Sequence, residues 1–235
     1  MTDAQLVALV RRYQQHLNQT AAHAGDTAAQ IWNDLGQWDE TDIERFATLA
    51  GPTLAAAQQH GGSLAAAFIG VLAGIGIRRI NMTVVIDSID FRAPFIAYWT
   101  ALKTGNPWEQ ALALGASRAT AVGFDAVQAA ARDASQQIDN TEPGIVGWER
   151  VLTGASCEWC ATVATQRYHT AESASFGHNN CDCAIVPITA TANPGRVINY
   201  GLLSSLKDTP QDERTGYVDA SGDPTARPGR VEVPA

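Results

Sequence analysis

The chain has 235 residues, with 24 acidic against 16 basic side chains, a net charge of −8 and a pI near 5.0. Hydrophobic residues make up 46%, enough to bury a core in one large or two small domains, which excludes global disorder. The acidic balance excludes a general nucleic-acid module, which needs basic surface to displace counterions from phosphates.

The opening Met1-Thr-Asp-Ala-Gln5 has no positive region leading into an apolar stretch, so no secretory signal is expected. Thr2 to Gln5 reads as a capping box, a hydroxyl cap with Gln at N3, and Leu6, Leu9, Val10, Tyr13 and Leu17 then share one helical face. Thr41-Asp-Ile-Glu44 repeats that pattern ahead of Phe46, Leu49 and Ala50. Gly51-Pro52 is expected to break or kink this helix, and Gly61-Gly62 to separate it from the next segment. The apolar run from Leu64 to Ile77 spans 14 residues. A membrane helix needs roughly 20, so the run predicts a buried helix and no membrane partner. Gly70, Gly74 and Gly76 within it predict close packing against a neighbour. Ile80 to Ile89 is rich in β-branched residues and fits either extended chain or a helix start.

Asn106-Pro-Trp-Glu109 is the clearest boundary: a cap, Pro at N1 and an acid at N3. The alanine-rich segment after it lacks proline to about Ile138, enough for a helix of roughly 30 residues and 45 Å. Asn140 to Gly144 marks the end of a helical domain, residues 1–142. Residues 143–206 have another texture, with short β-like pieces at Trp148–Leu152, Arg167–Thr170 and Ala184–Ile188 and a short helix through Glu158–Thr165. From Lys207 the chain carries Pro210, Pro224, Pro228 and Pro234 and almost no large apolar side chains, so residues 207–235 predict an extended, flexible or partner-bound tail. The expected fold class is α+β, mainly α: an N-terminal helical domain, a small β-rich zinc-ribbon-like module, and the tail.

All four cysteines, Cys157, Cys160, Cys181 and Cys183, lie in that middle module. Disulfides that staple a whole fold are usually spread along it, so this clustering means a local site. The pattern is Cys157-x2-Cys160, a 17-residue gap, then His178-x2-Cys181-x-Cys183. A Cys-x2-Cys turn aims two thiolates at one tetrahedral ion, and a second ligand pair from a separate segment closes the shell. Five candidate ligands compete for four positions. Cys181 and Cys183 face the same side of an extended strand, so both bind or His178 replaces one. Trp159, Tyr168 and Phe176 would shield the site. Three other readings of the cysteines stand beside zinc: reduced and unliganded, paired as a disulfide in a mature particle, or a redox pair at Cys157 and Cys160, for which no βαβ pattern is present. One zinc held by four of the five ligands would be structural, because a closed shell leaves no position for water. The His-x-Glu and Pro-Cys-x2-Cys arrangement of the deaminases and a HExxH helix are both missing.

Trp148-Glu-Arg-Val151, Gly154, Cys157-x2-Cys160-Ala161, Arg167, Tyr168, Ala171-Glu-Ser-Ala174, His178-x2-Cys181-Asp-Cys183 and Ile185-Val-Pro187 together resemble the C-terminal signature of the MuF-like minor capsid proteins. These are head morphogenesis proteins of tailed phages, and the version in phages of actinobacteria is the most similar. The chain departs from it at Gln166-Arg167-Tyr168, where relatives often carry Arg-Gly before the aromatic. The first 140 residues are similar to the family only in texture. The resemblance implies a non-enzymatic, low-copy virion protein, assembled in the host cytoplasm, associated with the portal or major capsid protein and acting in head assembly and DNA delivery. It carries over Cys157, Cys160, His178, Cys181 and Cys183 as the motif residues.

Other constellations lead nowhere sharper. His16 and His23 fall seven apart on an amphipathic helix and read as solvated or half-buried; His60, beside Gly61-Gly62, reads as a helix end. Asp39-Glu40-Asp42-Glu44 is a charge run around a helix start, without the spaced ligands and glycine turn of a calcium loop. No phosphate-cradling loop or Gly-x-Ser-x-Gly elbow is present, so no small-molecule substrate is expected. Arg78-Arg79 with Arg92 is a local patch for weak contact with packaged DNA. The alternative class is an enzyme, a nuclease or toxin-like transferase using His169 and His178. It lacks an identifiable acid, base and nucleophile set that does not borrow the zinc ligands.

Overall fold

The computed structural model describes residues 3–74, 89–139, 144–151, 158–165 and 184–189. In chain order these form α1 (Asp3–Asn33), α2 (Glu40–Ala73), α3 (Ala93–Lys103), α4 (Trp108–Asp139), β1 (Ile145–Val151), α5 (Glu158–Ala164) and β2 (Ala184–Thr189). The protein is therefore mainly helical, with one small antiparallel sheet of two strands. The expected boundary at 142/143, the strand at Arg167–Thr170 and the tail at 207–235 lie outside the described residues. Among those residues no helix is long and apolar enough to cross a membrane.

The chain divides into two compact units. One comprises Gln15–Ala66 and Arg79–Ala134; the other comprises Met1–Gln14, Ala67–Arg78 and Ser135–Ala235. In the first, Leu17, Ala21, Ala24, Ala28 and Trp32 recur at three- and four-residue steps along α1 and are buried. Trp32 is the centre of the core. Its ring meets Phe95 edge-on at 4.8 Å and lies against Phe46 at 6.4 Å and Tyr98 at 6.0 Å. Its Nε1 donates to the Leu112 carbonyl at 3.2 Å, so the ring is buried without an orphaned donor. Small residues bring α1 and α4 together: a Cβ on Gly123 would stand 2.6 Å from the Ala24 carbonyl oxygen, and one on Gly25 would stand 2.7 Å from that of Thr120. Gln128 Nε2 donates to Asn18 Oδ1 at 2.8 Å and fixes the register of the same two helices. In the other unit, Tyr13 and Phe68 stack at 4.1 Å with rings 4° from parallel.

Several expected boundaries move. α2 runs unbroken through Pro52 and Gly61-Gly62, against the expected break and separation. Phe46, Ala50 and Leu54 are buried on both sides of the proline, and that burial holds the helix together across the one backbone hydrogen bond that proline removes. Gly61 is a packing position: a Cβ there would lie 2.8 Å from Val127 Cγ1. His60 accordingly sits inside a helix, exposed, not at its end. Leu49, placed by pattern on the apolar face, is 50% exposed. Gly74, expected to aid packing, has φ +66° and open space around it; it follows the last residue of α2 as a left-handed helix terminator.

The cap of α2 is Asp39, two residues ahead of the expected Thr41. Its Oδ1 accepts from the Thr41 backbone N–H at 2.9 Å, the Thr41 hydroxyl at 2.6 Å and the Asp42 N–H at 3.2 Å. Asp42 Oδ2 reaches back to accept from the N–H groups of Gln37 and Trp38 at 3.0 and 2.8 Å. Those bonds hold Trp38 at φ +52°, a left-handed conformation uncommon for a bulky residue. Two further indole bonds brace it: Trp38 Nε1 donates to the Trp32 carbonyl at 3.1 Å, and Trp99 Nε1 donates to the Trp38 carbonyl at 2.9 Å.

Asn106 also differs from its expected role. Gly105, at φ +88°, ends α3 in a Schellman motif: Asn106 N donates to the Ala101 carbonyl and Gly105 N to that of Leu102, both at 3.0 Å. The Asn106 side chain adds a donor to the Ala101 carbonyl at 3.1 Å. It turns back to close α3 instead of forward to cap α4. α4 itself begins at Trp108 and ends at Asp139, close to its expected span.

Candidate metal centre

In sequence, β1, α5 and β2 flank the motif residues. β1 and β2 pair antiparallel, with Trp148 opposite Pro187, Arg150 opposite Ile185 and Val151 opposite Ala184. The register shifts between Ile145 and Gly147, an irregularity at the outer end of the hairpin. Side chains alternate across a strand, so Trp148 and Arg150 share one face of β1 with Pro187 and Ile185 across from them. Trp148 is fully buried, and Arg150 is 5% exposed. Both strands and α5 match their expected positions to within three residues at each end.

Cys160 lies in α5 and is fully buried. Arg150 Nη1 stands 3.6 Å from its Sγ. The strand thus aims a permanent cation at a buried sulfur. Of the five candidate ligands Cys160 alone is described; Cys157, His178, Cys181 and Cys183 lie outside the described residues, as do His169, Tyr168 and Phe176. Among the described residues no group of three or more His, Cys, Asp and Glu side chains is placed to hold a metal. What is described fits a ligand: a thiolate is the sulfur form that binds metal, and a guanidinium donor beside a buried sulfur suits that charged form better than a neutral thiol. His16 and His23 are exposed on α1, in keeping with their reading as solvated, and His60 is exposed within α2. Of the acids in the charge run at the start of α2, Asp39 caps the helix and Asp42 accepts from the N–H groups of Gln37 and Trp38.

The pattern reading missed Arg150. It entered only as a letter in the Trp148 to Val151 motif, although its inward register beside Trp148 was available from strand alternation once β1 was placed.

The fold and the hairpin together define a mainly helical protein with a short cysteine-bearing αβ element near its C-terminal part. A family model described as VG15 protein matches residues 1–196, from before α1 to just beyond β2, and the chain belongs to that family. Membership points to a phage protein. No curated protein and no solved structure matches the chain. The single family match joins the helical residues to the Cys/His motif, which the sequence alone related to known proteins only through the motif.

Proposed function

We propose that this protein is a MuF-like minor capsid protein of a tailed phage: a non-enzymatic, low-copy virion component that docks on the portal or the major capsid protein and acts in head assembly. The observation that carries this reading is the order of ligand types from Cys157 to Cys183, within a chain whose helices and motif belong to one family. The helical residues supply the docking scaffold. The motif binds one structural zinc through four of Cys157, Cys160, His178, Cys181 and Cys183, making a rigid contact element from a segment too short to build a core of its own. The buried Cys160 supports this reading, because a fully buried sulfur beside a guanidinium is placed for a ligand and not for exchange with solvent oxidants. DNA delivery is a second task that the same resemblance implies.

Co-expression with the portal and major capsid proteins of the same phage tests the assignment. The chain is expected to co-purify with one of them, and purified heads are expected to contain far fewer copies of it than of the shell subunit. Absence from purified heads together with failure to bind either partner would overturn it. Metal analysis of the same preparation is expected to give close to one zinc per chain.

A further inference from the structure

Three of the six tryptophans meet in the unit formed by Gln15–Ala66 and Arg79–Ala134. Trp38 lies between α1 and α2, Trp99 lies on α3, and Trp108 is the first residue of α4. The rings of Trp38 and Trp108 stand edge-on at 5.9 Å, and the Trp99 indole donates to the Trp38 carbonyl at 2.9 Å. Trp38 keeps its left-handed backbone under hydrogen bonds from several sides, and strain over-determined in this way collects at binding sites. The indole N–H groups of Trp32, Trp38 and Trp99 each donate to a carbonyl. That of Trp108 donates to none among the described residues, and its ring is 50% exposed. On α3, Ile96 and Leu102 lie three residues to either side of Trp99 and are also exposed. Ile96, Leu102 and Trp108 are thus three of the six exposed large apolar side chains among the described residues, gathered where a folded core has no need of them.

The charges beside these rings say what covers them. Asp39 and Glu40 follow Trp38 in the chain, and Glu109 follows Trp108. Glu40 and Glu109 are exposed, and among the described residues neither is in an ion pair. Against these acids stand Lys103, in the last turn of α3, and Arg45, which faces Asp42 at 3.8 Å. An indole face attracts a cation through its quadrupole. A guanidinium stacks on such a ring while its fork of donors remains free for a carboxylate. The free N–H of Trp108 lacks an acceptor, which the backbone carbonyl of a docked segment supplies. We infer that this aromatic patch docks a basic segment of the partner protein, with an arginine laid on the Trp108 ring and its charge balanced by Glu109 and Glu40. This rests on the docking reading above, and names the surface used and the chemistry of the segment it takes. Nucleic acid is not the occupant, because the same acids repel its phosphates.

The test uses the full chain with short, overlapping, labelled peptides that span the portal and major capsid proteins of the same phage, read by fluorescence anisotropy, and the intact subunits alongside. Peptides that carry arginine beside apolar residues are expected to bind, and to bind more weakly as salt rises. Trp108→Ala is expected to weaken binding at least about tenfold. Glu109→Lys, at an exposed position, is expected to weaken it about three- to tenfold. If the parent binds an intact subunit and the folded Trp108→Ala and Glu109→Lys variants bind it equally well, the patch is not the docking surface, and the docking reading stands without it. Should Trp108→Ala fail to fold, unchanged affinity in Glu109→Lys overturns the inference equally. A preference for acidic peptides, or displacement of the bound peptide by a DNA oligonucleotide, overturns it as well. A parent chain that binds neither subunit nor any peptide removes both this inference and the reading beneath it.

Discussion

In the unit formed by Gln15–Ala66 and Arg79–Ala134, the helices bury Trp32, Phe46 and Phe95 against one another and reserve glycine for their crossings. The described residues from β1 to β2 instead bury Trp148 and set the Arg150 guanidinium 3.6 Å from the Cys160 sulfur. The helical core follows from apolar area alone: roughly 25 cal/mol per Å² removed from water, gathered by rings and alanines at helical spacing. A two-stranded hairpin and a helix of seven residues gather too little area for that. The difference teaches that one region is set by the shape of packed rings, whereas the described residues of the other place a guanidinium against a sulfur.

If the motif holds zinc as proposed, the largest expected effect separates the two regions by removing that metal. Zinc-binding free energy in small metal modules is about 10–16 kcal/mol near neutral pH, so a strong chelator, or Cys160→Ser, is expected to unfold residues 143–206 while the helices persist. Limited proteolysis read by mass spectrometry checks this. Cleavage within 143–206 should accelerate at least about tenfold, with little change between residues 15 and 134. Equal cleavage rates with and without metal would erase the contrast between the regions.

The reverse experiment attacks the helical core. Trp32→Ala removes the ring that meets Phe46, Phe95 and Tyr98 and also the indole donor to the Leu112 carbonyl. A loss of about 3–5 kcal/mol is expected from urea unfolding. Zinc content should stay at the parental value in the fraction that remains folded. A loss below about 1 kcal/mol would mean that the site collapses around the cavity, and that the core is less tightly specified than its edge-on rings imply.

Much of this was legible before the fold was known, for identifiable reasons. The apolar spacing from Val10 to Leu17 located the buried face of α1, and the proline-free alanine run gave α4 nearly to its ends. Such patterns report period and length, which belong to a single element. What could not be read depends on a second element. Gly61 has the composition of a breaker and becomes a contact because Val127 lies against it. Asn106 has the sequence of a cap for α4 and turns back because Gly105 closes α3 just before it. Asp39 displaced Thr41 as cap because the left-handed Trp38 fixes the entry of the chain, and a lone φ above zero on tryptophan leaves no mark in composition. The Cys/His motif shows the same limit. Its candidate ligand types were legible as spacing, whereas Arg150 acquired meaning only when β1 turned it toward Cys160.

The glycine crossings sharpen the shape argument at smaller scale. Gly123→Ala sets a methyl group against the Ala24 backbone, which cannot rotate away as a side chain can. A loss of about 1–3 kcal/mol is expected from thermal or urea unfolding. Gly36, between α1 and α2, has nothing within 4 Å of an added Cβ, and Gly36→Ala is expected to stay within about 0.5 kcal/mol of the parent. Equal losses at both positions would show that the close approach to the Ala24 backbone does not set the role of Gly123.

The smallest expected effect concerns charge at the start of α2. The Thr41 hydroxyl holds the Asp39 carboxyl below the usual carboxylate range; partial burial works the other way, and the Asp42 and Thr41 N–H groups add to the lowering. A carboxyl lowered on folding stabilises the native state above its unfolded value, and that contribution fades as pH falls through the folded value. Asp39→Asn keeps an amide oxygen for the same N–H groups, so near neutral pH it should melt close to the parent and lose less stability than the parent on acidification. Asp39→Ala should melt below both at neutral pH, because the Thr41 and Asp42 N–H groups lose their acceptor. The decisive quantity is the slope of melting temperature against pH on acidification from about 5 down through and below the ordinary carboxylate value of about 3.9. If Asn and Asp give the same slope, the carboxylate charge adds nothing to the cap, and α2 is started by hydrogen-bond geometry alone.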